Sequence, residues 1–171
     1  METWDAYRAR RNVRSHTNEP IATADLERII DAARRAPSAF NAQPWDFVTV
    51  TDRATLTKLA RVWQGAGHVA GSAATVVITT PQEADADRAR WAEFDLGQAV
   101  MAMAVVAADL GIGSAHALIG DQQMCRDLLG IPDTRRCAYL LSLGYPADRP
   151  LSPVIEPKRR PLDEVHHKER W

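Results

Sequence analysis

Two short windows at opposite ends of the chain concentrate its positive charge. Arg8, Arg10, Arg11 and Arg14 lie in "RARRNVRS", and Lys158, Arg159 and Arg160 lie in "PKRRPL", seven of the 21 lysines and arginines. Runs of this kind are commonly solvated surface. As a pair they suggest a phosphate, because arginine forks grip its oxygens with paired hydrogen bonds and a lysine adds a point charge. A monoester dianion could then be held where the two chain ends meet. The 22 acidic residues leave a formal net charge of -1, which argues against a general nucleic-acid or membrane-surface binder and favours a small phosphorylated ligand.

A second stretch, "APSAFNAQPWDFVTV" at residues 36–50, places small residues and two side-chain amides directly before a strand. Ser38 and Ala39 would let a flat ligand approach the backbone, and Asn41 with Gln43 offers donors and acceptors to a heteroatom-bearing ring edge. The plainer alternative is that Asn41 and Gln43 tie the loop to itself while Trp45 fills the core. Other constellations are missing. The five histidines, at 16, 68, 116, 166 and 167, form no metal pattern, and there is no P-loop, G-x-S-x-G or G-x-G-x-x-G. Cys125 and Cys137 stand apart without metal-ligand spacing and read as reduced thiols. No signal-like N-terminus is present, so a cytoplasmic protein is expected.

The elements that must position these residues follow from periodicity. Helices are expected over 3–10, 53–63 and 121–129, and over "TADLERIIDAARRA" with Thr23 as N-cap. A long helix begins near Arg88 and ends at Gly111; between Leu96 and Leu110 it is apolar nearly all round, about 15 residues and too short to cross a bilayer. Such a helix needs cover from more than one layer, which hints at a dimer. Strands are expected at 46–51, 75–80, 113–119 and 138–144. Strands separated by helices point to an α+β domain, a mixed central sheet flanked by helices in three layers. Residues 1–146 form that domain. Residues 147–171 are proline-rich and aperiodic, an extended tail that must lie on something else.

The segments "RRNVRSH", "APSAFNAQPWDFVTV", "DLGQAVMAMAVVAADLGIGSA", "LSLGYP" and "KRRPLDEVHHKERW" resemble, in order, the signatures of the FMN-dependent nitroreductase family. The resemblance implies an intertwined homodimer, with FMN at the subunit interface, the long helix in the dimer core and the tail wrapping the partner. It implies Arg10, Arg11, Asn12 and Arg14 on the flavin's phosphate, ribityl chain and pyrimidine edge, with Lys158 and Arg160 completing the phosphate site. Pro37, Ser38, Ala39 and Asn41 would come from the other subunit. His116, Ala117, Leu118 and Ile119 would run beside the ring, and Gln64 and His68 are weaker candidates for ring contact.

The resemblance further implies ping-pong chemistry: NADH or NADPH gives a hydride to flavin N5, and a nitroaromatic or quinone then takes the electrons in the same cleft. No catalytic side chain is required, since the flavin does the reaction. The chain departs from the family pattern at Asn12, where serine is common, and at His16, where a bulky aromatic is common. It also has only "PQEADADR" where larger members insert lid helices. Two further readings stay open: an enzyme of the same architecture with other redox chemistry, such as dehydrogenation, reductive dehalogenation or flavin fragmentation, and a non-catalytic FMN storage protein.

Overall fold

The computed structural model describes residues 1–171. The chain runs α1 (Thr3–Ala9), α2 (Thr23–Arg34), β1 (Asp46–Val50), α3 (Arg53–Leu59), β2 (Ala74–Pro81), α4 (Ala86–Asp109), β3 (Gly113–Leu118), α5 (Gln122–Leu129) and β4 (Arg135–Gly144). The sheet order is β1-β2-β4-β3. Side chains alternate between its two faces, and that alternation divides the core. Val76, Ile78, Leu141 and Leu143 face α2 and α4 in one cluster with Ile29, Leu96 and Met103. Val77 and Leu140 face the opposite way with Leu56, Leu59 and Cys125 of α3 and α5. A strand buried on both faces reads as a continuous apolar run, and "ATVVITT" of β2 is buried throughout. The α+β, three-layer architecture is the one expected.

The sheet departs from expectation in sense. Every pairing among the four strands is antiparallel, and the parallel pairing is an isolated bridge from Asn12 to Ser114. Helix lengths explain this. At about 1.5 Å per residue, the seven residues of α3 and eight of α5 span roughly 10–12 Å. Neither carries the chain back along a strand as a parallel crossover must.

Capping sets the helix boundaries. Asp52, Asp85 and Asp121 accept backbone N–H bonds at the starts of α3, α4 and α5. Helix α4 accordingly begins at Ala86, two residues before the expected start. Thr23 is not an N-cap: Ala22 occupies that position without a side-chain bond, and its carbonyl accepts from Asp25 and Leu26. Helix α4 is long and apolar enough to span a membrane by composition. Its Leu96, Ala99, Met103 and Ala107 lie at the centre of the core.

From residue 147 onward the chain is irregular and mostly exposed, with one short turn at Leu162–Glu164. Its first part runs beside the N-terminal segment. Ala147 donates to the Ser15 carbonyl at 3.0 Å, and Val154 donates to the Arg8 carbonyl at 3.2 Å while the Arg8 Nε donates back to Val154 at 3.4 Å.

Candidate cofactor site

Helix α1 ends because Arg10 turns extended, at φ −58 and ψ 123. The chain then crosses the edge of β3: Val13 N–H donates to the Ser114 carbonyl at 2.9 Å. Val13 packs so tightly over Gly113 that a Cβ there would stand 2.5 Å from Val13 Cγ2. This bridge and the Arg8–Val154 pairing bring the chain ends together. Arg10, Arg11 and Asn12 line one cleft of about 540 Å³ with Arg149, Lys158 and Arg159, and the stacked rings of Trp4 and Tyr7 complete it.

The charges in the cleft are unevenly used. Arg11 donates to Asp148 at 2.7 Å and to the Arg149 carbonyl at 2.8 Å; its guanidinium, with the Arg149 backbone N–H, pulls the Asp148 carboxyl down to about 2. Arg10, Arg149, Lys158 and Arg159 have no carboxylate within 4.0 Å. Arg10 Nε is buried without any partner. A buried donor left unbonded costs the full desolvation penalty of that group, and an anion in the cleft would satisfy it. Two expected members stand elsewhere. Arg160 turns to Glu164, through Nε to the carboxylate at 3.3 Å and a second nitrogen to the carbonyl at 2.9 Å. Arg14 lies past the β3 bridge and places its charge near His68.

A smaller cavity of about 230 Å³ also includes Arg10 and Asn12 in its wall, which it builds with Ser114, Ala115 and His116 of β3 and Gly97 and Met101 of α4. Of the four candidates at 116–119 only His116 lines it. Leu118 is half exposed, whereas Ala117 and Ile119 are buried in the core beside α3 and α5; strand alternation sends Ala117 to the face opposite His116. Gln64 is exposed. His68 Nδ1 meets Ser142 Oγ at 2.9 Å, and that hydroxyl donates to the Ala115 carbonyl at 3.1 Å. Burial lowers the His68 pKa, and the nearby charges of Arg14, His16 and His116 lower it further.

The 36–45 loop supports the plainer reading for part of its length. Gln43 N–H donates to Ser38 Oγ at 3.0 Å, Gln43 Nε2 donates to the Asn41 carbonyl at 3.2 Å, and Trp45 is core. Phe40, Asn41 and Gln43 all adopt positive φ, a conformation that needs support from outside the loop. Asp95 of α4, 3% exposed, supplies it by accepting the Ala39 N–H at 3.1 Å. Pro37 and Asn41 are left exposed. Ala39 lines a separate cavity of about 450 Å³ with Phe40, Thr80, Trp91 and Asp95, so within one chain Pro37, Ser38, Ala39 and Asn41 are not part of the basic cleft. Asp95 escaped sequence reasoning, although an acid just before an apolar helical run was a signal.

The residues present fit a phosphomonoester cofactor such as FMN. Arg10 and Lys158 are uncommitted cations in one cleft, one with an orphaned buried donor, and the neighbouring cavity shares Arg10 and Asn12.

The family model described as "Nitroreductase family" matches residues 7–67 and 63–145. A relative from Archaeoglobus fulgidus, named as a candidate NADH dehydrogenase/NAD(P)H nitroreductase, is 34% identical over 95% of this chain and 94% of its own length. An FMN reductase [NAD(P)H] from Bacillus subtilis is 28% identical over 94% of this chain and 71% of its own. Among solved structures, an FMN-dependent nitroreductase from Clostridium difficile R20291 superposes with a TM-score of 0.84 at 21% identity, over 97% of this chain and 99% of that one. A family match along most of the chain, a relative above 30% identity and a shared fold agree: the chain belongs to the nitroreductase family.

Proposed function

We propose that the chain is an FMN-dependent oxidoreductase that takes a hydride from NADH or NADPH and delivers electrons to a small organic acceptor such as a nitroaromatic or quinone. The carrying observation is the convergence of Arg10 and Lys158, from opposite ends of the chain, on one cleft that holds the orphaned Arg10 Nε. Relatives named FMN reductase [NAD(P)H] and oxygen-insensitive NADPH nitroreductase support the choice of cofactor and donor. Bound FMN supplies hydride chemistry at its N5, and the protein supplies binding and orientation. Arg10 and Lys158 hold the phosphate by charge-assisted bonds. Asn12 offers an amide between the basic cleft and the β3 cavity. The short 82–85 connection leaves no room for a lid helix.

The working unit in this reading is a homodimer. Phe94 is 71% exposed on α4, beside a groove formed with Gly97, Met101, Ala102, Val105 and Val106. A contiguous apolar face of this kind marks an interaction surface. In that homodimer the 37–41 loop of a second copy is taken to complete the cofactor site, as the family resemblance implies. Anaerobic mixing with NADPH or NADH tests the function: the bound flavin bleaches rapidly and a nitroarene or quinone restores its colour. A protein that keeps FMN oxidised under excess donor is not this enzyme.

A further inference from the structure

The basic cleft is larger and more positive than one phosphomonoester requires. Arg8, Arg10, Arg11, Arg149, Lys158 and Arg159 line it, and no carboxylate does. Asp5 pairs with Arg8 at 3.4 Å and Asp148 with Arg11 at 2.7 Å, which leaves four cations unopposed. A monoester of charge about −2 offsets roughly half of these. Its volume of about 540 Å³ is that of a pocket for a whole small ligand.

The aromatic wall supplies the second clue. Trp4 and Tyr7 are 66% and 52% exposed, yet their rings stack within 11° of parallel, 5.8 Å apart. Aromatic faces stack on any nucleobase, and neighbouring arginines add cation–π attraction.

We propose that the cleft is a two-part nucleotide site: besides a phosphomonoester at Arg10 and Lys158, it holds an adenosine 5′-diphosphate group, with the purine on Trp4 and Tyr7 and the diphosphate on Arg149 and Arg159. Only the first half rests on the FMN reading; the second stands on residues that reading leaves unused. The adenosine diphosphate group can come from a nicotinamide dinucleotide donor bound beside FMN, or from FAD in place of FMN, in which case the riboflavin-side phosphate of that diphosphate takes the Arg10 and Lys158 position and no separate monoester is bound; the experiment separates these sources.

The full-length protein, with FMN supplied in excess, is titrated calorimetrically with ADP and separately with inorganic phosphate; its own flavin is released by heat and chromatographed. ADP binds once per chain and quenches tryptophan fluorescence, and phosphate alone binds at least ~10-fold more weakly because it lacks the stacking base. Trp4→Ala with Tyr7→Ala weakens ADP by ~10-fold or more, as does Arg159→Glu, which reverses a phosphate-facing charge. Each variant keeps the wild-type circular-dichroism spectrum and thermal melt, which shows that it folds. Released FMN together with competition between ADP and NAD(P)H makes the donor the source. Released FAD, with ADP binding only after the flavin is stripped, makes the cofactor the source. ADP that fails to bind stripped and FMN-loaded protein alike, or that binds the Trp4/Tyr7 variant as tightly as wild type, overturns the proposal. ADP binding by a protein that takes up no flavin would instead overturn the FMN reading and leave this site standing.

Discussion

The Ala39 N–H donates to the buried carboxylate of Asp95 across 3.1 Å, and this bond fixes a loop with three left-handed residues onto helix α4. Removing the acceptor leaves Ala39 unbonded beside the protein interior. Asp95→Ala is expected to lower stability by about 1–3 kcal/mol, and Asp95→Asn by less, because its amide oxygen still accepts. Urea denaturation measures both; an Asp95→Ala midpoint equal to wild type would remove Asp95 from this role.

The two basic windows make a discriminating set of variants. Arg10→Ala and Lys158→Ala should each weaken FMN by roughly 1–3 kcal/mol, the worth of a charge-assisted bond. Arg160→Ala should leave affinity near wild type, since Arg160 is engaged by Glu164. Fluorescence titration of stripped protein reads all three, and a loss at Arg160 alone would reverse the assignment.

Gly113 tests how the N-terminal segment is seated. A methyl group there meets Val13 Cγ2 at 2.5 Å and must push the Asn12–Val13 bridge off β3. Gly113→Ala should cost about 1–3 kcal/mol by overpacking and weaken FMN as Arg10 shifts. Thermal melts and flavin titration should change together.

Stability should fall with acid in a defined window. Burial lowers the folded-state pKa of both His16 and His68 below their ordinary value of 6.5. The unfolded chain therefore binds more protons than the folded one between 6.5 and the folded values, so stability rises with pH through that interval. It is fully present above 6.5 and is lost as pH falls toward the folded pKa. For His68 the facing charges are Arg14, His16 and His116. Denaturation at a series of pH values should show the loss, and His16→Asn with His68→Gln should flatten it.

Charge placed on the exposed face of α4 should separate copies of the chain. Val105→Asp and Phe94→Asp put carboxylates where an apolar contact is proposed, and light scattering should report monomers with weakened flavin retention. Dimers that survive both changes would locate the interface elsewhere.

Much of the architecture was legible locally. The period of α2 and α4, the apolar run of β2 and the two basic windows each carry their signal within a few residues. Strand sense did not, because it depends on whether α3 and α5 are long enough to return the chain. Asp95 was hidden because its value lies in a partner 56 positions away. Arg160 looked like Lys158 in the sequence and diverged only because Glu164 falls four residues on, within reach of its guanidinium. At 116–119 the sequence marks a segment, whereas which side chains face the cavity depends on strand alternation, which turns His116 toward it and Ala117 into the core.

The pairing of Arg8 with Val154 joins positions 146 residues apart. During synthesis the amino-terminal half of the cleft therefore stays without its lysine until about 150 further residues have been added. If the proposed phosphate site is correct, a translation product that stops short of Lys158 is born without half of it.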